Sequence, residues 1–286
     1  MKSLRMSSIN VGIVGLAAAL VASVACARGA PSGRGEVRGE PAGTARLQVG
    51  ALIVAPARPD GEAAAPRTPR TSDACPTGMV LVEGESCPDA EQTCLEWMDP
   101  PTSRYAHFRC KRYAKPAVCK VAKVHKRYCI DATERVEPGT SLPRHFMSWT
   151  SSKALCESDG ARLCRESEWV FACEGEEMRP YPYGWVRDAT ACNADIATGL
   201  GHIGGLVDHR APASAHPRCT SAFGVHDMAG NVDEWATVDG APKGTREVMK
   251  GSWWMPGRNS CRSFQGGHGA SYGGTESGVR CCKDAP

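Results

Sequence analysis

The chain lacks the features by which three classes of protein are recognised from sequence. None of its 15 cysteines lies in a Cys-x-x-Cys pair, the spacing that marks many structural zinc sites. Its charge has no excess of one sign, since 34 lysines and arginines face 31 acids for a formal net charge of +3. That balance argues against a nucleic-acid partner, which requires a clustered basic surface. The mean hydropathy of −0.33 excludes a polytopic membrane protein.

Aromatic residues are also scarce. They make up 6% of the 286 residues, and all of them follow residue 74. Every cysteine except Cys26 lies in the same part of the chain. Without Cys26 there are 14 cysteines, an even number that can all pair in disulfides. Many cysteines without metal spacing are typical of a disulfide framework formed in an oxidising compartment.

The N-terminus carries an export signal. Lys2 and Arg5 precede an apolar run over residues 11–24, which is too short to span a bilayer comfortably. Cys26 follows this run after a small residue, an arrangement that resembles a bacterial lipobox and predicts a lipid anchor on Cys26. The alternative is ordinary cleavage at an Ala-x-Ala pattern around Cys26, which would give a secreted chain. We predict a signal peptide at residues 1–25 and an exported lipoprotein that faces the periplasm or the cell surface.

Residues 26–74 differ in composition from the rest of the chain. The 48 residues after Cys26 contain 7 glycines and 6 prolines, but no Cys, Phe, Tyr or Trp. Such a segment cannot bury enough apolar surface to fold alone, so we expect a disordered linker. The remaining cysteines and all the aromatic residues lie in residues 75–286, which we predict to form one domain.

Two short helices are predicted in this domain. Ser148 is a candidate N-cap for a helix over Trp149–Ser158, which ends before Gly160. A second helix is predicted over Glu166–Glu174, where two acids in the first turn complement the helix dipole. Gly, Pro and Cys interrupt the rest every few residues, which indicates an irregular α+β domain held by cross-links. Short strands are predicted at residues 79–82, 128–130 and 248–250.

Several sequence motifs occur in an order typical of one family. They lie at residues 78–84, 128–134, 147–169 and 223–235, with a Lys-Gly-Ser-Trp run at 250–253 and a Gly-Val-Arg-Cys run at 278–281. Together they resemble the formylglycine-generating enzyme, or sulfatase-modifying factor, domain. The resemblance implies an irregular α+β fold related to C-type lectins, with little regular secondary structure. Active members oxidise a substrate cysteine to formylglycine with oxygen and copper, and relatives include nonheme-iron sulfoxide synthases.

The resemblance also locates the catalytic thiols. In the active enzymes two cysteines, separated by four residues, bind Cu(I) as soft thiolates. Cys261 matches the second position, but the first falls on Pro256, which has no thiol. A two-thiolate copper site is therefore absent, and we predict that the chain does not generate formylglycine. Cys261 is expected in a disulfide, with a free functional thiol as the alternative.

Family pairings imply two further expectations about disulfides. Cys156 of the first helix would join Cys281. Cys173 of the second helix has no cysteine at the family's partner position, so Cys261 or Cys282 would substitute. The adjacent Cys281 and Cys282 are expected to have different partners, because a vicinal bridge is strained.

A calcium site of the family maps onto one acidic loop. The resemblance implies Ca²⁺ coordination by the Asp227 and Glu234 side chains and by the carbonyls of Gly230 and Val232. All four are hard oxygen donors, as Ca²⁺ requires. The alternative is a solvated acidic turn before a buried tryptophan. A second calcium site, which would begin near Asn193, stays open.

Candidate ligands for a transition metal are fewer. His202, His209 and His216 recur every seven residues, but in a Gly- and Pro-rich loop without helical periodicity. Isolated histidines are more often structural or solvated than metal-bound. Iron at these histidines, or copper at Cys261, would be needed for catalysis.

A ligand groove is a further possibility near the catalytic position. Trp and Arg concentrate at recognition surfaces, although neighbouring tryptophans also pack in cores. Residues 91–101 do not map onto the enzymes and resemble an inserted, bridged loop. The groove candidates are Trp253, Trp254, Arg258 and Arg262.

Three hypotheses follow. The first is a non-catalytic binding or structural module that recognises a peptide, a glycan or a partner protein, with calcium as a structural ion. The second is a divergent oxidoreductase that uses copper or nonheme iron on a protein or small-molecule substrate. The third is a secreted cysteine-rich domain that shares only the fold. A bound transition metal or a free Cys261 distinguishes the second from the first, and a lack of calcium stabilisation favours the third.

Overall fold

A computed structural model of the chain describes residues 74–197 and 206–286. The predicted signal peptide at 1–25, the predicted lipid site Cys26 and nearly all of the predicted linker lie outside these residues, as does His202. The described residues form two helices and twelve strands: β1 Met79–Ser86, β2 Ala90–Glu91, β3 Cys94–Trp97, β4 Cys110–Tyr113, β5 Val118–Cys119, β6 Val124–Asp131, α1 Trp149–Ser158, β7 Arg162–Leu163, α2 Glu166–Glu174, β8 Asp233–Thr237, β9 Glu247–Lys250, β10 Phe264–Gln265, β11 Ser277–Val279 and β12 Cys281–Asp284.

Two four-stranded sheets organise these strands. The first is antiparallel with the order β1-β6-β12-β7, and its longest pairing sets Met79 opposite Asp131. Alternation along β1 buries Val80 and Val82 on one face. The second sheet has the order β10-β9-β8-β11, with β8 and β11 parallel. The three predicted strands are confirmed, and each is longer than its sequence signal.

Both helices have the predicted bounds. At α1 the Ser148 hydroxyl accepts from the Ser151 amide and the Ser151 hydroxyl accepts from the Ser148 amide, which satisfies two donors of the first turn. At α2 the Glu168 carboxylate accepts from the Arg165 amide at 2.9 Å. Gly175, with φ +68° and ψ −174°, ends α2 in a backbone conformation that is open almost only to glycine. Neither described helix is long and apolar enough to cross a membrane.

Helix α2 supplies two large aromatic side chains to the main core. Trp169 and Phe171 are fully buried there against Val80, Val82 and Ile130 of the first sheet. Burial of a side chain of this size stabilises the fold by about 1.5–3 kcal/mol. The core therefore forms where the first sheet meets the second helix.

All cysteines of the described residues are paired. The predicted α+β fold with many disulfides and little regular structure is therefore confirmed. The seven disulfides are Cys75–Cys129, Cys87–Cys119, Cys94–Cys110, Cys156–Cys281, Cys164–Cys282, Cys173–Cys261 and Cys192–Cys219.

A smaller, cross-linked region joins β1 to β6. It holds two ribbons, β2 with β5 and β3 with β4. We call residues 94–113, which comprise β3, β4 and their connecting loop, the bridged hairpin. Its β4 strand attaches to the domain because the Tyr113 amide donates to the Trp185 carbonyl at 3.0 Å and the Arg187 amide donates to the Lys111 carbonyl at 2.8 Å.

Candidate functional site

The loop between β9 and β10 carries the two positions that match the family's catalytic cysteines. It begins at Gly251, where φ is +93° and an added Cβ would lie 3.3 Å from the Trp169 ring. Ser252 follows with φ +60°, a conformation uncommon for residues other than glycine. Farther along the loop Pro256 is exposed, whereas Cys261 is fully buried.

Cys261 is covalently bonded to Cys173 of α2 and is 0% exposed. Its backbone amide donates to the Pro180 carbonyl at 2.8 Å, which fixes the end of the loop on the core. A disulfide sulfur is not a thiolate, so it provides no soft ligand for Cu(I). Together with Pro256, this bond leaves the loop without either thiolate of a two-cysteine copper centre.

The two cysteines at the end of the chain have different partners. Cys281 is bonded to Cys156 of α1, the pair that the resemblance implied. Cys282 is bonded to Cys164, immediately after β7. Of the two alternatives for Cys173, the structure therefore contains the bond to Cys261.

The acidic loop assigned to calcium contains a buried ion pair. Glu234 is 1% exposed and Arg280 is 0% exposed. Arg280 Nε and Nη2 donate to the two carboxylate oxygens of Glu234 at 2.8 and 2.7 Å, and Trp169 Nε1 donates to Oε2 at 2.6 Å. Arg280 also donates to the carbonyls of Asp131 and His226, each at 2.8 Å. These bonds compensate both buried charges for the loss of water.

Two of the other calcium candidates are also constrained by contacts within the domain. One carboxylate oxygen of Asp227 accepts from the Ser214 amide at 2.7 Å, and burial raises the pKa of Asp227. A Cβ on Gly230 would lie 2.3 Å from a backbone carbonyl oxygen, so this position requires glycine for a packing reason. Ca²⁺ takes roughly six to eight oxygen ligands and needs carboxylate charge. Arg280 already compensates the charge of Glu234, and calcium at the expected set with the Gly230 and Val232 carbonyls stays a prediction.

Glu134 is a buried acid beside this ion pair, and the sequence gives little sign of it beyond its place in the 128–134 motif. It is 1% exposed, and one oxygen accepts from Asn231 Nδ2 at 2.9 Å. The other oxygen, Oε1, has no hydrogen-bond partner within the described residues. Burial raises the pKa of Glu134 well above its ordinary value, and the Asp227 and Glu234 carboxylates raise it further.

Lys250 is another buried charge. It is the last residue of β9 and directly precedes the loop between β9 and β10. It is 0% exposed, and its Nζ lies 3.1 Å from Glu166 Oε1. The amine also lies 5.7 Å from the Trp169 ring and 5.9 Å from the Phe264 ring. Burial lowers the pKa of Lys250, whereas Glu166 opposes that shift. The basic residue of the Lys-Gly-Ser-Trp run thus fixes β9 against α2.

The four groove candidates differ in burial. Trp254 is 0% exposed and belongs to the core, the alternative named for it. Arg262 donates to both oxygens of the buried Glu174 carboxylate at 2.7 and 2.6 Å. Trp253 is half-buried, and only Arg258 is exposed. Two of the four members thus stabilise the interior, and a ligand groove at this position stays a prediction.

Arg258 instead packs on the bridged hairpin. Its guanidinium lies 4.7 Å from the centroid of the Phe108 ring. Arg187 holds the backbone beneath it, since its Nη1 donates to the Arg258 carbonyl at 2.8 Å while its Nη2 binds Asp195 at 2.7 Å. The loop that carries the family's catalytic position therefore lies beside the bridged hairpin. The only sequence sign of this hairpin was its pair of cysteines, which have no counterpart in the family.

The histidines do not form a metal centre in the part of the chain that the structure describes. Within residues 74–197 and 206–286, no group of three or more His, Cys, Asp or Glu is placed to hold a metal ion. His209 Nε2 is buried without a hydrogen-bond partner there. An iron site that includes His202 falls outside the described residues.

The chain is similar in sequence to a known family and to several known proteins. The chain matches the family described as sulfatase-modifying factor enzyme 1-like domain over residues 90–285. It is 31% identical over 104 residues to a hercynine oxygenase of Mycolicibacterium smegmatis, which covers 35% of this chain and 22% of that protein. It is 29% identical over 119 residues to an inactive C-alpha-formylglycine-generating enzyme 2 of Mus musculus, which covers 40% of this chain and 38% of that protein. The crystal structure of CarF matches with a TM-score of 0.46 at 17% identity, over 74% of this chain and 99% of CarF. The chain thus spans less than half the length of both curated relatives.

Proposed function

Because the chain belongs to the sulfatase-modifying factor enzyme 1-like domain family, we propose that it uses this fold as a non-catalytic module that binds a partner protein. The observation that carries the proposal is the buried Cys173–Cys261 disulfide, together with Pro256 at the other thiol position. The active enzymes that the chain resembles use two thiolates to bind copper, and neither is available here. The similarity to a relative that is named inactive supports the same conclusion.

The proposal assigns the role of the expected calcium to Arg280. A guanidinium that binds both oxygens of Glu234 supplies positive charge at the centre of the acidic loop. It also ties that loop to β12, because Arg280 directly precedes Cys281. The module is then stabilised by its own cation and requires no metal ion.

We place the module outside the cytoplasm. Its disulfides need an oxidising compartment to persist, and the export signal and Cys26 would attach it to a membrane through the linker. Metabolic labelling with palmitate tests the anchor: the full chain should take up label, and Cys26→Ser should not. An unlabelled parent chain would instead favour secretion.

Thiol mapping tests the non-catalytic role. The full chain is produced in an oxidising compartment, alkylated without reduction and analysed by mass spectrometry. We expect no alkylation at Cys261, a bridged Cys173–Cys261 peptide, and only background oxygen consumption with Cu(I) and a cysteine-containing peptide. Alkylation of Cys261 together with copper-dependent oxygen consumption would overturn the proposal.

A divergent oxidoreductase is the second candidate, and the similarity to a hercynine oxygenase favours it. Iron would need ligands from the loop that carries His202, His209 and His216. Anaerobic titration of the full chain with Fe(II), followed by calorimetry, tests this alternative. Stoichiometric binding that is lost in His209→Ala would support it, and an absence of binding would leave the binding module as the better account.

A further inference from the structure

The tip of the bridged hairpin exposes several large side chains. Trp97 and Met98 are each 39% exposed, and Tyr105 is 45% exposed. The Trp97 ring lies 5.2 Å from His107, and the Tyr105 ring lies 5.9 Å from Phe108. Aromatic side chains and Met are enriched at protein–protein interfaces, where they supply contact area. The tip therefore has the composition of a recognition surface.

Two arginines lie against these rings, and neither has a carboxylate partner within the described residues. The Arg104 guanidinium is 4.5 Å from the centroid of Tyr105, and that of Arg258 is 4.7 Å from the centroid of Phe108. Both arginines are exposed. Arg104 Nη2 also donates to the Tyr105 hydroxyl. A guanidinium presents five N–H donors, so others remain from which a carboxylate can accept hydrogen bonds.

Neighbouring arginines differ because they are already paired within the domain. Arg109 binds Asp99 at 2.7 Å, and Arg187 binds Asp195 at 2.7 Å. These pairs hold the hairpin and the loop at 255–259 in place. Arg104 and Arg258 thus differ from Arg109 and Arg187 in that no carboxylate of the described residues pairs with them.

The surface is also held in one arrangement. The Cys94–Cys110 disulfide closes the hairpin at its base. Tyr181 donates its hydroxyl to the Cys110 carbonyl, and the Arg187 amide donates to the Lys111 carbonyl at 2.8 Å. A surface that is formed before binding loses less conformational entropy when a partner arrives.

We propose that Trp97, Arg104, Tyr105, Phe108 and Arg258, here called the hairpin face, bind an acidic peptide segment of a partner protein. Carboxylates of the segment accept hydrogen bonds from the two arginines, and its aromatic or aliphatic side chains pack on the exposed rings. The inference rests on the proposed binding function and names both its surface and the chemistry of its partner.

Fluorescence anisotropy with a defined probe tests the hairpin face. The probe is a fluorescein-labelled peptide of twelve residues with alternating Glu and Tyr, and the full chain is titrated at low and at physiological salt. We expect saturable binding that weakens with salt and that falls at least tenfold in the double variant Arg104→Ala/Arg258→Ala. The matched control, Lys243→Ala/Arg246→Ala, removes the same charge from an exposed turn and should stay within twofold of the parent.

Other outcomes contradict the inference. A Gln-Tyr peptide that binds equally well, an equal loss in the control variant, or no saturable binding up to millimolar protein would each overturn it. So would binding to vesicles of phosphatidylglycerol and phosphatidylcholine in place of the peptide. Thermal melts of both double variants must match the parent, so that unfolding does not imitate lost binding. The anisotropy measurement does not depend on thiols or oxygen. Peptide binding can therefore fail while the non-catalytic role stands, and the non-catalytic role can fail while peptide binding stands.

Discussion

The bridged hairpin and the domain centre around Arg280 are stabilised by different means. The centre combines fully buried aromatic residues with an ion pair in which each charge has several hydrogen-bond partners. The region between β1 and β6, which contains the bridged hairpin, packs on only a small buried apolar cluster of Cys87, Ala117 and Met178. It depends instead on two disulfides and on backbone hydrogen bonds to residues 185–187. Cross-links thus replace burial in the hairpin, which leaves its large side chains available to a partner.

The largest effect should come from breaking the centre. Arg280→Met leaves the buried Glu234 carboxylate without its cation, close to Glu134 and Asp227. Removing one partner of a buried ion pair costs about 3–5 kcal/mol. Urea unfolding of the full chain, monitored by tryptophan fluorescence, should show a loss of that size in the free energy of unfolding.

A matched exposed pair provides the control for this prediction. Arg218 and Asp188 form an ion pair with side chains that are 61% and 37% exposed. Exposed pairs contribute only about 0–1 kcal/mol, so Arg218→Met should be nearly neutral. Equal losses in the two variants would mean that Arg280 is not the central cation.

Opening the hairpin should have a smaller and more local effect. The double variant Cys94→Ser/Cys110→Ser opens a loop whose ends are 16 residues apart, which corresponds to about 3 kcal/mol in the chain-entropy model. We expect this loss within the bridged hairpin, because Cys87–Cys119 and the core remain intact. Hydrogen exchange should become faster in residues 94–113, while the global unfolding midpoint changes little.

The corresponding change in the centre should behave differently. Cys156→Ser/Cys281→Ser opens a bridge across 125 residues that joins α1 to β12, so the global midpoint should fall. If the hairpin variant lowered the global midpoint as much as this one, the two regions would form a single cooperative unit and the contrast between them would be lost.

Features that depend on local signals could be predicted from the sequence, whereas features that depend on contacts between distant residues could not. The bounds of α1 follow from a local signal, the Ser148 cap, and those of α2 follow from its acidic first turn. The family resemblance leaves the partner of Cys173 open, because the family's partner position holds no cysteine here and sequence alone does not determine connectivity. The calcium expectation did not include Arg280 because it lies 46 residues from Glu234, and a motif does not show which distant side chain reaches a carboxylate.

The hairpin face could not be predicted from the sequence, because its residues come from distant segments of the chain. Arg258 and Phe108 belong to different segments, and only the bond network of Arg187 brings them together. Trp254 was a groove candidate because tryptophan is typical of both interfaces and cores, and only its burial separates the two. Local patterns therefore predicted elements, whereas the sites depended on contacts between distant segments.

The free energy of unfolding should depend on pH through Glu134, which lies in the domain centre. The pKa of Glu134 is raised in the folded state, so the folded state binds this proton more tightly than the unfolded state. Its stabilising contribution is complete below the unfolded value near 4.5 and is lost as the pH rises toward the folded value. Glu134→Gln has no proton to lose, so it should be about as stable as the parent at pH 5 and more stable at pH 8.

The expected gain at pH 8 is on the order of 1 kcal/mol, because each unit by which the pKa differs between the folded and unfolded states corresponds to about 1.4 kcal/mol. Urea unfolding at the two pH values measures it, and the exposed Glu91→Gln provides the control. Other buried acids with raised pKa values, such as Asp233, contribute equally to parent and variant and cancel in the difference. A variant less stable than the parent at pH 8 would show that the attraction of the nearby Arg280 charge outweighs the cost of burying the ionised Glu134 carboxylate.

The smallest effect should come from calcium. A ligand present at about 100 times its Kd stabilises the folded state by about 2.7 kcal/mol, and for a domain of this size each kcal/mol moves the Tm by about 2–4 °C. An occupied site would therefore raise the Tm by several degrees when millimolar CaCl₂ follows EDTA treatment. Because both oxygens of Glu234 are bound to Arg280, we expect a change below about 1 °C. A rise of several degrees that disappears in Asp227→Ala would return the loop to calcium, and Arg280 would then be a brace beside the metal and not its replacement.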